Sequence, residues 1–177
     1  YIGASVTSLH EFLFEYLNAF RKRHPRVKLK ISTGSNNGTI ERLKSGMVDL
    51  AFVSTPCNLG RGLHPVSVRE FGDILIAGNG FAELKGKKLS LKDLASYPFV
   101  GLRQGMQLRQ FTDDIFAQNK LVISPDIEAD GADLLVPMIS QNFGIGFVPE
   151  AMAAPAAERG DVFEVPLDFE LPKRHIC

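Results

Sequence analysis

At 177 residues, the chain is long enough for one domain or for two small lobes with separate cores. Hydrophobic residues make up 45% and charged residues 23%, which is typical of a soluble globular protein. Lysine plus arginine and aspartate plus glutamate each number 20, so the formal net charge of zero argues against nucleic-acid binding by this segment itself. No apolar run reaches the roughly 18 residues of a membrane span, so we expect no membrane partner.

The cysteines and histidines give no sign of a metal or cofactor site. Cys57 and Cys177 are the only cysteines and lie far apart in the sequence, which favours reduced thiols in a cytoplasmic protein. A redox-sensing pair is the alternative interpretation of the same two residues. The histidines are scattered without ligand-like spacing, at His10, His24, His64 and His175. We therefore predict no metal and no cofactor.

Residues 1–53 are predicted to form strand, helix, strand, helix and strand. The first helix has one wide apolar face, formed by Leu9, Phe12, Leu13, Tyr16, Leu17 and Phe20. Ser8 and Glu11 form a capping-box pattern, which predicts that this helix starts near Thr7 and Ser8. The helix should end at His24, because the residue before Pro25 is disfavoured in helical backbone.

A second helix is predicted over residues 37–45. Ser35, Asn36 and Asn37 are candidate caps at its start, and Gly46 offers the left-handed residue that commonly ends a helix. Two helices that each follow a strand imply a parallel sheet with right-handed crossovers. Ligands bind beyond the carboxyl ends of the strands in such sheets, so we expect a site in the loops at residues 4–8 and 33–38.

The remaining strands differ in pattern. Residues 27–31 alternate apolar side chains with lysine, which indicates an edge strand, whereas residues 48–53 are almost wholly apolar and are predicted to be central. Further strands are predicted at residues 66–71, 73–77, 99–100, 127–129, 145–148, 161–165 and 173–176. Between them, helices are predicted from Ser90, over residues 104–119, and over residues 132–141 with Asn142 as the left-handed cap.

Two ordered sets of residues match a known pattern. The first set is Ile2, Gly3, Ala4, Ser5, Thr7, Leu13, Leu17, Phe20, Pro25, Gly34, Leu43, Gly46, Asp49, Leu50 and Ala51. The second set is Leu91, Asp93, Leu94, Pro98, Phe99, Gly144, Ile145, Val148 and Pro149. Together they cover almost the whole chain, and in this order they resemble the effector-binding domain of LysR-type transcriptional regulators.

The resemblance implies an α/β fold with two lobes, like that of type 2 periplasmic binding proteins. Each lobe would be a mostly parallel sheet flanked by helices, and two crossover strands would join the lobes. Lobe I would span residues 1–72 and take back residues 166–177, and lobe II would span residues 73–165. The family's winged helix-turn-helix DNA-binding domain normally precedes this domain and is absent from this chain.

The resemblance also implies a sensing function. A small effector, expected to be anionic, would bind in the cleft between the lobes and alter DNA binding by a full-length homodimer or homotetramer, which would contact DNA only through the missing domain. The alternative with the same fold is an extracytoplasmic solute-binding protein of a transporter. An enzyme is not expected, because residues 34–38 lack the lysine of a phosphate loop and no G-x-S-x-G motif is present.

The candidate effector-binding residues follow predicted strands in both lobes. They are Ser5, Thr7, Ser35, Asn36 and Ser54 in lobe I and Arg103, Gln104 and Asp130 in lobe II. Thr7 matches the family's effector-contacting hydroxyl position, although a helix-start role explains it equally well, and the same choice applies to Ser35 and Asn36. Arg103 is either a bidentate partner for a carboxylate or a solvated surface arginine, and Asp130 is expected to cap the helix that starts at Ala132.

A partner surface is predicted on the first helix. Phe14 lies off its main apolar face, which suggests a contact with another molecule, with a widened core as the alternative. The resemblance implies a dimer in which this helix pairs with residues 104–119 of the other subunit, and this would place Leu108 and Phe111 at the interface. The basic residues 21–24 are interpreted as a solvated helix C-terminus, where cations suit the helix dipole.

Overall fold

In the computed structural model, which describes all 177 residues, the first three strands form one parallel sheet. They are β1 (Ile2–Ala4), β2 (Ile31–Thr33) and β3 (Leu50–Phe52), in the order β2-β1-β3. The edge position predicted for the second strand is confirmed. The strand itself begins at Ile31, which was the last residue of the predicted strand. The predicted central position of the third strand is wrong, because β1 lies between the other two and is buried along its whole length.

The first helix, α1, is continuous but irregular. It comprises Val6–Ser8, a π-helical turn over Leu9–Leu13 and Phe14–Arg23. Its predicted cap is wrong: Ser5 is the cap, and its hydroxyl accepts a hydrogen bond from the Ser8 backbone N–H at 3.2 Å. Ser8 cannot serve as the cap because it lies inside the helix, fully buried, with its hydroxyl 2.7 Å from that of Ser5. The predicted end before Pro25 is confirmed.

The second helix, α2 (Asn36–Lys44), is capped by Ser35, whose hydroxyl accepts from the Gly38 N–H at 3.2 Å. Gly46 has a φ of +73°, which confirms the predicted left-handed residue beyond the helix. The helix packs closely on β1, because a Cβ at Gly3 would lie 3.1 Å from Cγ2 of Thr39. The absence of a side chain at Gly3 therefore permits this close approach.

After β4 (Arg69–Phe71), the chain forms two further sheets. In the three-stranded one, β5 (Asp73–Gly78) runs antiparallel to β8 (Gly146–Pro149) and β9 (Val162–Glu164). In the two-stranded one, β6 (Val100–Leu102) and β7 (Ile127–Ala129) pair in parallel. The Val100 N–H donates to the Ile145 carbonyl at 2.8 Å and links the two sets of strands. The apolar pattern of β5 predicted where this strand lies in the sequence but not that it runs antiparallel to its neighbours.

Helices flank these two sheets. They are α3 (Gln107–Gln118), α4 (Leu135–Ser140) and α5 (Glu150–Glu158). The first two fall within the predicted helices, and Asn142 has the predicted positive φ, of 64°. A short helical turn, Asp93–Ser96, follows Ser90 as predicted; hydrogen bonds from the Ser90 hydroxyl and N–H lower the pKa of the Asp93 carboxyl. The sequence did not predict α5, which is rich in alanine and contains Pro155.

The last strand, β10 (Arg174–Ile176), pairs antiparallel with β4, and Arg174 lies opposite Phe71. The chain divides into one unit of Tyr1–Phe71 with Arg174–Cys177 and a second unit of Gly72–Lys173. The predicted return of residues 166–173 to the first lobe is wrong. Backbone hydrogen bonds of 2.9 Å from Leu89 to Pro166 and from Asp168 to Leu89 hold this stretch in the second unit.

The two units have hydrophobic cores of unequal size. The contiguous buried cluster of the first unit consists of Ile2, Ala4, Leu9 and Leu13. The second unit has a far larger one, which includes Leu75, Val100, Phe116, Leu135 and Val148. None of the helices combines the length and the apolar character needed to cross a membrane.

Candidate functional site

The five candidate residues of the first unit gather at the carboxyl edge of its parallel sheet. Ser5 directly follows β1, and Ser35 and Ser54 come two residues after β2 and β3. The Gly34 N–H donates to the Ala4 carbonyl at 3.2 Å, which continues the β1–β2 pairing into this edge. We call Ser5, Thr7, Ser35, Asn36 and Ser54 the first-unit edge.

Asn36 ties the start of α2 to the chain beyond β3. Its Nδ2 donates to the Ser54 carbonyl, and its Oδ1 accepts from the Ser54 N–H at 3.2 Å. The residue is only 1% exposed. Because the buried side chain bonds to both backbone groups of Ser54, Asn36 positions the first-unit edge.

The serine hydroxyls of the first-unit edge are also engaged. Those of Ser5 and Ser35 cap α1 and α2. The Ser54 hydroxyl accepts from Nη2 of Arg174 at 3.3 Å, and Nε of Arg174 donates to the Thr55 carbonyl at 2.7 Å. Thr7 takes part in none of the hydrogen bonds that tie this edge together.

Arg174 is a member of this site that sequence reasoning missed. Its side chain is 2% exposed, and it brings a guanidinium group to the Ser54 hydroxyl. The sequence placed Arg174 only in a final strand. The side chains of that strand alternate between its two faces, and Arg174 lies on the buried face. Nothing in the sequence distinguishes Arg174 from a solvent-exposed arginine on a strand.

The three candidates of the second unit also lie beyond parallel strands. Arg103 and Gln104 follow β6 and Asp130 follows β7, and the Arg103 N–H donates to the Ala129 carbonyl at 2.9 Å. All three residues are exposed. The predicted capping role of Asp130 is wrong, because the helical turn that starts at Ala132 has Gly131 at its cap position and no side-chain cap hydrogen bond.

A second missed residue, Arg109, ties α3 to the end of β6. Its Nη1 donates to the Leu102 carbonyl at 3.1 Å and to Oε1 of Glu128 at 2.6 Å. Its Nε donates to Oδ1 of Asp113 at 2.8 Å. The i, i+4 spacing of Arg109 and Asp113 was the available sequence signal. These contacts join α3 to β6 and β7 and give Arg109 a structural role.

The predicted interface residues differ in exposure. Phe14 is 54% exposed, and its ring meets that of His10 edge to face with the ring centres 5.3 Å apart. Leu108 is only 5% exposed and lies in the core of the second unit, so its predicted interface role is wrong. Phe111 is half-buried and packs against the same core.

The two cysteines are free. Burial raises the pKa of both thiols, and the neighbouring Cys177 adds to the increase at Cys57. Both groups are therefore mostly protonated at neutral pH and are weak nucleophiles.

An apolar cavity of about 280 Å³ lies in the first unit. Its lining is largely aliphatic and includes Ile40, Leu43, Leu50, Leu63 and Val66. None of the five edge residues lines it. A polar or anionic ligand would find few partners there, so the cavity does not replace the first-unit edge as the candidate site.

The chain forms two α/β units, and its last residues return to the first of them. In each unit, polar residues follow the carboxyl ends of parallel strands, which is typical of a two-lobed ligand-binding domain. The chain belongs to the LysR substrate binding domain family, whose model matches residues 1–177.

Relatives of known role are transcriptional regulators. The chain is 24% identical over 149 residues to the HTH-type transcriptional activator CmpR of Synechocystis, with 82% of this chain and 47% of CmpR covered. It is 28% identical over 168 residues to the activator IlvY of Haemophilus influenzae, with 93% of this chain and 56% of IlvY covered. The chain thus spans about half the length of these relatives. These matches favour a regulator domain over a solute-binding protein.

Solved structures show the same fold. The cofactor-binding domain of the Cbl transcriptional regulator has a TM-score of 0.85 at 22% identity, covering 99% of this chain and 76% of that one. The effector-binding domain of QuiR, in complex with shikimate, has a TM-score of 0.84 at 18% identity, covering 99% and 83%. The Synechocystis CcmR regulatory domain, in complex with 2-PG, has a TM-score of 0.84 at 17% identity, covering 99% and 84%.

Proposed function

We propose that this chain is the effector-sensing domain of a longer cytoplasmic transcriptional regulator. The relatives CmpR and IlvY are named as HTH-type activators, and the chain spans about half of their length. Under this proposal, DNA is read by a winged helix-turn-helix outside this chain, and a small effector binds here. Catalytic turnover has no part in the proposed role.

The first-unit edge carries the proposal. Two helices, α1 and α2, begin there, and the backbone N–H groups and partial positive charge of helix starts favour an anionic ligand. The guanidinium of Arg174 adds a positive group beside Ser54. We assign the effector's charged end to this edge, with the Thr7 hydroxyl as its side-chain partner.

We further propose that the second unit supplies Arg103, Gln104 and Asp130 to the effector. Arg103 is exposed at the end of β6, and a guanidinium can pair with a carboxylate through two parallel hydrogen bonds. Gln104 and Asp130 would select polar groups on the rest of the molecule. This assignment follows the family resemblance and the position of each residue beyond a parallel strand.

Sensing requires that the effector bind one arrangement of the regulator more tightly than another, since equal affinity for both arrangements shifts nothing. We propose that the regulator is a homodimer or homotetramer and that effector binding changes its geometry. The exposed Phe14 on α1 is the residue that we assign to the subunit contact.

Thermal unfolding of this chain against a panel of metabolites tests the proposal. A ligand that binds only the native state stabilises it by RT ln(1 + [L]/Kd), about 2.7 kcal/mol at a hundredfold excess over Kd. Each carboxylate in the panel is paired with its neutral amide as the control. We expect at least one carboxylate to raise Tm while its amide does not. A panel in which amides and carboxylates raise Tm equally would contradict the anionic site.

A further inference from the structure

The zero net charge of the chain conceals an uneven distribution between its two units. The first unit has 11 lysines and arginines against 5 aspartates and glutamates, whereas the second has 9 against 15. Their formal charges are therefore +6 and −6. An asymmetry of this kind within a chain indicates a polyanion-binding surface on the basic part. A net charge of zero for the whole chain therefore does not exclude nucleic-acid binding by the basic first unit.

The excess positive charge is concentrated in residues 21–30, which we call the basic segment. Its cations are Arg21, Lys22, Arg23, Arg26, Lys28 and Lys30, and it contains no acidic residue. All six of these side chains are exposed. The ion pairs of the first unit lie elsewhere and involve Arg69, Lys44 and the N-terminal amine, so no carboxylate neutralises the basic segment.

The basic segment has an ordered backbone. It begins in the last turn of α1, where the His24 N–H donates to the Phe20 carbonyl at 2.8 Å. It ends beside β1, where the Ile2 N–H donates to the Lys30 carbonyl at 2.8 Å. Leu29 is half-buried against the core of the first unit. The cations are thus presented from a fixed scaffold, which lowers the entropy lost when they bind.

We propose that the basic segment binds the phosphate backbone of duplex DNA without reading its sequence. The choice of DNA as the polyanion rests on the proposed function, in which the longer protein is held on DNA by another domain. At physiological ionic strength charges are screened beyond about 8 Å, so a phosphate at the basic segment responds to the local cations and not to the net charge of the chain.

Fluorescence anisotropy of a labelled 30-base-pair duplex measures this binding directly. If each of the six cations contacts one phosphate, the slope of log K against log salt is about −5, and affinity falls about 10³-fold between 50 and 200 mM KCl. Two duplexes of unrelated sequence should bind equally well. A sequence preference, or no binding at 50 mM KCl, would overturn the proposal.

A matched pair of variants locates the surface. K22Q/K28Q/K30Q removes three lysines of the basic segment, and K87Q/K88Q/K92Q removes three exposed lysines of the second unit, so both lose the same charge. We expect the slope to fall to about −3 in the first variant and to stay unchanged in the second. The proposal fails if both variants bind DNA equally, or if the first weakens only self-association in sedimentation. Such a failure leaves the metabolite screen as a separate test of effector binding.

Discussion

At the first-unit edge, Thr7 lies at the start of α1 and Asn36 at the start of α2, but their side chains differ in hydrogen bonding. Both polar atoms of Asn36 bond to the backbone of Ser54. Thr7, which is 7% exposed, takes part in none of the hydrogen bonds that tie the edge together. Asn36 therefore maintains the shape of the edge, and Thr7 is the residue that we propose as the ligand's partner.

Replacing Asn36 by alanine should destabilise the chain. The N–H and carbonyl of Ser54 would lose their buried partner, and each buried polar group left unsatisfied costs about 1–3 kcal/mol. For the two groups together we expect a loss of about 2–6 kcal/mol in the free energy of unfolding measured with urea. Asn37→Ala, at the exposed neighbouring helix position, is the matched control and should change stability little. Equal stability of the two variants would show that Asn36 does not hold the edge together.

Replacing Thr7 by valine should weaken effector binding and leave the fold intact, since valine keeps the volume and removes the hydroxyl. The expected loss is about 0.5–3 kcal/mol, the range for neutral and charged hydrogen bonds. Thr7→Ser should lose less because it keeps a donor and an acceptor. Calorimetry with a ligand from the metabolite screen measures both. If Thr7→Val binds as tightly as the parent chain, Thr7 is only a helix-start residue.

The position of the first-unit edge was predictable because it depends on local patterns. Strand, polar loop and helix start are all visible around Ser5 and Ser35, and parallel topology then brings them together. The roles of single side chains were not predictable. Ser8 and Ser5 are both serines near one helix start, and only packing decides which is the buried residue and which is the cap.

Among the elements, those with strong periodicity were predicted best. The apolar face of α1 predicted a helix there, but not the π-helical turn over Leu9–Leu13, because an extra residue per turn leaves no mark in the pattern. The small, alanine-rich α5 was missed, since its hydrophobic pattern is nearly uniform and Pro155 argues against a helix. The order of β1 and β3 in the sheet depends on contacts distant in sequence, which no local pattern records.

Helix α1 exposes three aromatic side chains, Phe14, Tyr16 and Phe20. If Phe14 contacts another subunit, Phe14→Glu should weaken self-association and leave the circular dichroism spectrum unchanged, because a buried carboxylate at the contact is costly. Phe143→Glu is the matched control, since Phe143 is 50% exposed in the second unit. Sedimentation velocity measures both variants. Equal association of the two would show that Phe14 is inert surface, and loss of folding would place it in the core.

Across the whole molecule, the two units should differ in stability because their cores differ in size. The first unit has a cluster of four contiguous buried residues, whereas the second has one that joins both sets of strands to its helices. Local opening is easiest where few apolar contacts hold the backbone. We expect amide hydrogens of β1–β3 to exchange faster than those of β5 and β8, after correction for intrinsic peptide rates. Equal protection in both sheets would show that the chain opens as one cooperative body.

Because β4 pairs with β10, the first unit cannot complete its fold until the end of the chain has been synthesised. The first unit lacks β10 until the whole of Gly72–Lys173 has been translated, which takes about 5–20 s at ordinary elongation rates. The second unit is continuous in sequence and can fold as it leaves the ribosome. The N-terminal unit is therefore begun first and completed last, and β4 lacks its partner strand throughout that interval.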